Sequence, residues 1–129
     1  MADAHRIERV EHQMAKDIAA ILEARIADPD VAGVTVLWVK VAKDLSFADV
    51  YVSVFGDDDA VARGLRALNR CRPLVQRLIA GRIRLRKTPV IRFRLDKQYR
   101  SAVRVYELLK QLESEQGDAS PPQADNGGD

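Results

Sequence analysis

The sequence has a single cysteine, Cys71, so neither an internal disulfide nor a cysteine-based metal site can form within the chain. Nowhere does it approach the roughly 20 consecutive apolar residues that a membrane span requires. Its start, Met1-Ala2-Asp3-Ala4-His5-Arg6, has no apolar core behind a basic stretch, so a secretory signal is not expected. These absences point to a reducing cytoplasm and to no membrane partner. Aromatic residues make up 5% of the chain and few of them fall between the arginines, so an RRM-like platform of stacked bases is not expected. No Ser-His-Asp, Cys-His, Walker or Rossmann pattern appears. The two histidines, His5 and His12, roughly share a helix face but lack a cysteine partner and make a poor metal site. With 19 acidic residues, pairs of carboxylates occur everywhere and carry no weight. Neither an enzyme nor a cofactor or metal is expected.

What the chain does have is a strongly segregated charge. Its 129 residues suffice for one core, and its formal net charge is only +2. Residues 1–62 carry 6 basic and 12 acidic residues, a net of −6. Residues 63–100 carry 13 basic residues against one acid, Asp96, a net of +12. Residues 101–129 return to a net of −4. A middle third this basic is the electrostatic footprint of a polyanion-binding protein. Eleven of its 13 cations are arginines, whose planar fork pairs with phosphate and stacks on bases.

Hydrophobic spacing outlines the elements. Ile7, Val10, Met14, Ile18, Ile21 and Leu22 recur at three- and four-residue steps, predicting a helix over 5–27 that Asp28-Pro29-Asp30 ends. Residues 34–42 are β-branched, but their apolar phase switches between Val34/Val36 and Val39/Val41. That switch fits either a bulge or a strand covered on both faces. Lys43-Asp44-Leu45-Ser46 supplies a hairpin turn. In residues 47–55, Ala48, Val50, Val52 and Val54 share one face and Asp49, Tyr51 and Ser53 the other. Asp57-Asp58-Asp59 reads as a helix cap. The helix that follows meets Pro73, where it either kinks or gives way to a second helix; proline's tolerance of a first turn favours the second helix. Residues 89–95 form a third strand with Ile91, Phe93 and Leu95 inward and Arg92 and Arg94 outward. A last helix over 99–114 would bury a stripe such as Val103, Tyr106, Leu109 and Leu112. Residues 114–129 read as a disordered acidic tail after a domain at 1–113. The order α-β-β-α-kink-α-β-α predicts an α+β domain with a three-stranded sheet covered by helices.

Several pieces, in one order and spacing, resemble the bacterial ribosome-binding factor A family. They are Arg9-Val10 in the first helix, Asp28-Pro29 at its end, Asp44-Leu45-Ser46, and Ala48-Asp49-Val50-Tyr51-Val52. The longest is Leu85-Arg86-Lys87-Thr88-Pro89-Val90-Ile91-Arg92-Phe93, closed by Asp96. The likeness covers most of residues 6–112. It implies a type II KH-like fold and a non-catalytic factor that binds the free small (30S) ribosomal subunit and its ribosomal RNA. It further implies a role in late maturation and processing of pre-16S rRNA, and a link to assembly GTPases. In that family a helix–kink–helix with Ala-x-Gly replaces the Gly-x-x-Gly loop of ordinary KH domains. This chain has Cys71-Arg72-Pro73 there. Proline removes an N–H and adds bulk, which argues against backbone-mediated RNA contact at the kink.

The candidate RNA-binding residues are Arg72, Arg77, Arg82, Arg84, Arg86 and Lys87 around the kink, second helix and exit loop, with Arg92 and Arg94 on one strand face. Arg6 and Arg9 on the first helix join them, although salt bridges to Glu8, Glu11 or the acidic loop would explain these two equally well. The bland reading of any charge run is a solvated surface, but the nearly uniform sign here makes a relieving anion the better one. Cys71 reads as a small packing residue rather than a reactive thiol. Phosphate, sugar and shape contacts are expected, which position more than they specify. The different-class alternative is a protein–protein adaptor whose basic surface meets an acidic partner. A monomer is expected.

Overall fold

The computed structural model describes residues 2–115. They form helix α1 (Ala2–Arg25), a 3-10 turn (Pro29–Val31), strands β1 (Val34–Val41) and β2 (Phe47–Val54), helix α2 (Asp58–Arg82), strand β3 (Val90–Leu95) and helix α3 (Lys97–Glu115). The sheet is three-stranded in the order β1-β2-β3. β1 and β2 are an antiparallel hairpin, and β3 runs parallel to β2 after the α2 crossover. The observed class is the α+β architecture expected from the pattern.

The apolar stripe of α1 does what its spacing predicts. Met14, Ile18, Ile21 and Leu22 are buried, joined by Ala67, Leu68, Val75 and Ile79 of α2 and by Val39, Val41, Ala48, Val50, Val52 and Ile91 of the sheet. Both helices therefore cover one face of the sheet, and no charged or polar residue among those described is buried. Close approach of α2 to β2 depends on Gly64: a Cβ there would lie 2.8 Å from Val54 Cγ1.

The phase switch in β1 is a bulge. Val34 and Val36 pair with Val54 and Val52, then the register shifts between Val36 and Trp38, so that Trp38 pairs with Tyr51 and Val39 with Val50. One extra residue, Leu37, turns Val39 and Val41 inward and Trp38 outward.

Two expectations need correction. No second helix begins at Pro73: α2 runs as one helix through Cys71-Arg72-Pro73 to Arg82. Proline in a helix interior costs about 3 kcal/mol, but Leu68 before it and Val75 and Ile79 after it are buried in the same core. Their packing keeps both halves in one helix. The second correction concerns α3, none of whose residues is buried; Val103, Tyr106, Leu109 and Leu112 are all exposed. The chain divides into two compact units at Asp96/Lys97. Within the second, the one described helix has nothing of its own to bury a stripe against. The expected tail at 114–129 lies outside the described residues except for Ser114 and Glu115, which belong to α3. No helix among the described residues is long and apolar enough to cross a membrane.

Candidate nucleic-acid interface

Both ends of α2 follow from local chemistry. Asp57 caps its start, its carboxylate accepting the Ala60 N–H at 2.9 Å, which is the role read for the acidic run. At the other end the chain leaves helical geometry at Ile83 and exits through Arg84, Leu85, Arg86 and Lys87.

Much of the arginine block is spent on the acidic N-terminal half. Arg70 pairs with Asp28 at 2.7 Å and reaches Asp30 at 4.0 Å, and Arg63 meets Asp30 at 3.7 Å. Arg82 lies 3.9 Å from Asp17. Arg92 grips Asp49 with two nitrogens, Nε to Oδ1 at 2.7 Å and Nη2 to Oδ2 at 3.2 Å, while Arg94 Nε stands 3.4 Å from the same carboxylate. Burial alone would raise the Asp49 pKa, but the hydrogen bonds and charges of Arg92 and Arg94 outweigh it and hold the pKa below its ordinary value. Three of the candidate residues, Arg82, Arg92 and Arg94, thus have carboxylate partners. Their pairing was invisible in the sequence because the partners lie far away along the chain.

The other candidates form no ion pair of this kind, although the Lys87 charge helps to lower the Asp44 pKa. Arg6, Arg9, Arg72, Arg77, Arg84, Arg86 and Lys87 make no salt bridge among the described residues. Of the acids nearest Arg6 and Arg9 in sequence, Glu11 accepts the Val41 N–H at 2.8 Å, and neither Glu8 nor Glu11 forms a salt bridge with these arginines.

Three chain segments bring four of the cations together. Arg6 from α1, Lys43 from the β1–β2 turn, and Arg84 and Arg86 from the α2–β3 loop line an open cleft of about 320 Å³. Its floor is Ile7, Val10, Leu45 and Leu85, and no acidic residue lines it. The turn is held rigid. Asp44 accepts from the Ser46 hydroxyl at 2.6 Å and the Ser46 N–H at 3.0 Å, which lowers its pKa. Leu45 sits at φ +62°, a left-handed conformation unusual for leucine, with its side chain packed against the core. Lys43 was not singled out in the sequence, where it stands 41 residues from Arg84. Its place in the turn was the available signal.

Elsewhere, Arg72 borders a shallow hollow between α2 and β3, with Asn69 and residues 90–94. Cys71 packs against the core, its Sγ 3.5 Å from the Leu68 carbonyl, and burial raises its thiol pKa, as suits a packing residue. No group of His, Cys, Asp and Glu among the described residues could hold a metal ion.

The sheet face opposite α1 and α2 gathers side chains that looked scattered in the sequence. Trp38 and Tyr51 stack with ring centroids 4.1 Å apart and planes within 6°. The Arg92 guanidinium lies 4.1 Å over the Phe47 ring. The few aromatics do interleave with cations here, contrary to the expectation from composition.

Comparison with known proteins gives a consistent picture. The family model for ribosome-binding factor A matches residues 6–109. The crystal structure of ribosome-binding factor A from Thermus thermophilus is similar at 30% identity and a TM-score of 0.62, covering 69% of this chain and 93% of that one. A solution NMR structure of a Thermotoga maritima protein described as a ribosome binding factor A is 32% identical with a TM-score of 0.62, over 70% of this chain and 87% of that one. A Thermus thermophilus ribosome binding factor A homology model, fitted into a cryo-EM map of a 30S complex, is 31% identical with a TM-score of 0.55, over 67% and 90%.

Proposed function

Because the chain belongs to the ribosome-binding factor A family, we propose that it binds the free small ribosomal subunit through its ribosomal RNA and assists late maturation and processing of pre-16S rRNA. It does so by binding, as a monomer in the cytoplasm, and without a catalytic step. The observation that carries this reading is the cleft of Arg6, Lys43, Arg84 and Arg86, four cations from three segments with no acid among them. Such a cluster repels itself until an anion relieves it, and ribosomal RNA offers phosphates at that density. The fitted 30S complex of the similar Thermus thermophilus protein supports the same partner.

The surface is divided between structure and binding. Arg92 and Arg94 are held by Asp49, and Arg70 by Asp28, so these arginines chiefly fasten the acidic half to the basic one. Arg84, Arg86, Arg6 and Lys43, with Arg9, Arg72 and Arg77 beyond them, are left to meet phosphate, and Lys87 is shared with Asp44. Any effect on RNA maturation is then bounded by how much more tightly the protein binds one RNA conformation than another.

Co-sedimentation with purified free small subunits across a salt series tests the proposal. Binding at low salt that falls steeply as salt rises is expected. Binding that is absent at low salt, or indifferent to salt, overturns it. Capture of an acidic protein instead, from nuclease-treated lysate, would favour the adaptor reading.

A further inference from the structure

The bulge in β1 has a consequence beyond packing. Without the extra residue at Leu37, strict alternation would carry the inward face from Val34 and Val36 to residue 38. The bulge instead turns the tryptophan out, where it remains 44% exposed. An indole so placed forgoes burial of the largest side chain in the protein, so packing alone does not explain its position.

The ring is also fixed. Tyr51, its cross-strand partner, covers one face in a nearly parallel stack. The indole N–H donates to Asp96 Oδ2 at 3.0 Å, which sets the rotation of the ring. What stays open is the face turned away from Tyr51, toward the free edge of β1. Lys40 lies two residues along the same face and is exposed, with no salt bridge among the described residues. On the far side of Tyr51 stands Arg94, in register with it on β3. Arg94 is held by Asp49, which also stands opposite Lys40 in the β1–β2 register, so Lys40 is the cation left to a ligand at this face. A fixed, half-exposed aromatic ring beside an exposed lysine suits an unpaired nucleobase with its phosphate.

From this arrangement we infer that the sheet face turned away from α1 and α2 carries, around Trp38, a second RNA-contacting surface, where an unpaired base stacks on the outer face of Trp38 and Lys40 takes an adjoining phosphate. The inference rests on the reading of the chain as an RNA-binding protein and deepens it. The cleft is indifferent to strandedness, because it meets phosphates. The Trp38 face selects single strands, because bases inside a duplex are already stacked on one another and out of reach. The surface would thereby favour immature RNA, in which strands that later pair are still free.

Trp38 is the single tryptophan in the sequence, so the intact protein carries its own probe. The experiment is titration of the full chain with a short single-stranded oligoribonucleotide and, separately, with a blunt-ended two-strand RNA duplex of equal phosphate number, which has no unpaired bases. Tryptophan emission and filter binding are followed in parallel. Expected are saturable quenching by the single strand, none by the duplex, and binding of both. Trp38→Ala should weaken single-strand binding about five- to tenfold while leaving duplex binding unchanged at a temperature well below its lowered Tm, since it also loses the Tyr51 stack and the Asp96 hydrogen bond, and Trp38→Phe should weaken it less. A variant carrying Arg84→Ala with Arg86→Ala should bind both RNAs more weakly yet show full quenching at saturation. Single-strand binding without quenching, or of equal strength in Trp38→Ala, overturns the inference and gives the face to another kind of partner. Absence of binding to either RNA takes down this inference and the proposed function together.

Discussion

The Gln76 side chain completes the free edge of β3 at Ile91. Its Oε1 accepts the Ile91 N–H at 2.8 Å and its Nε2 donates to the Pro89 carbonyl at 2.8 Å. The amide so placed imitates the strand that is missing there. Glu11 does similar duty at the opposite edge, accepting the Val41 N–H. Sheet edges left open invite pairing with other chains, and here a helix side chain closes part of each. The Gln76 contact also ties α2, which ends at the cleft, to the strand that leaves it.

Gln76→Ala should therefore lose about 1–3 kcal/mol of stability, since it strands the buried Ile91 N–H without a partner. Gln76→Glu should lose stability at neutral pH as well, because its carboxylate can accept from Ile91 but only repels the Pro89 carbonyl. Urea unfolding of the two variants against the parent checks both.

Gly64→Ala should be destabilising although alanine is the better helix former. The new methyl would stand 2.8 Å from Val54 Cγ1 and 3.3 Å from Cγ2. Overpacking of this kind costs about 1–3 kcal/mol, against a gain of about 1 kcal/mol in helix propensity. Adding Val54→Ala removes the obstructing methyls, so the double variant should lose less than the sum of the two single losses. Thermal melts of the four proteins in this cycle decide it.

Asp49 gives stability a defined pH dependence. Its folded pKa lies below the ordinary value of 3.8, so the stability it contributes is fully present above that value and is lost as pH falls through the lowered one. Asp49→Asn should be less stable than the parent at neutral pH, with the gap narrowing as pH drops below 3.8. Chemical denaturation at a series of acid pH values reads the gap directly.

Core and cleft should separate cleanly under mutation. Ile91→Ala, at a fully buried position, should cost about 2–5 kcal/mol of stability. Arg84→Ala and Arg86→Ala should leave the unfolding midpoint in place and weaken RNA binding. Arg92→Ala should do the reverse of the cleft variants, lowering stability by leaving Asp49 partly uncompensated. Melting curves and filter binding on the same preparations distinguish these outcomes.

The parts of this fold legible in the sequence are those set by local periodicity. The stripe from Ile7 to Leu22 and the alternation from Ala48 to Val54 mark which faces are buried, because helix and strand geometry convert spacing into sidedness. Asp57 as a helix cap was readable because a short acidic side chain just before a helix can accept its free N–H groups. At Val36 to Val39 the sequence showed that the phase changes, but only the pairing with β2 reveals that a bulge causes it. Pro73 misled because its local preference for ending a helix is outweighed by burial of Leu68, Val75 and Ile79. The candidate site was half visible. The sign and place of the charge were plain, yet the division into paired and unpaired arginines depends on long-range neighbours. Asp49 meets Arg92 across 43 residues, and Lys43 joins Arg84 only because the hairpin turn folds back to α1.

The central claim is that the cleft cations bind RNA phosphates. It is tested most directly by the salt dependence of RNA binding for the parent and for the variant carrying Arg84→Ala with Arg86→Ala. Each lost phosphate contact should flatten the plot of log affinity against log salt by about one unit of slope. A slope flatter by about two units, with an unchanged melting curve, is the predicted result. The same slope in both proteins, or affinity that does not respond to salt, would contradict the account.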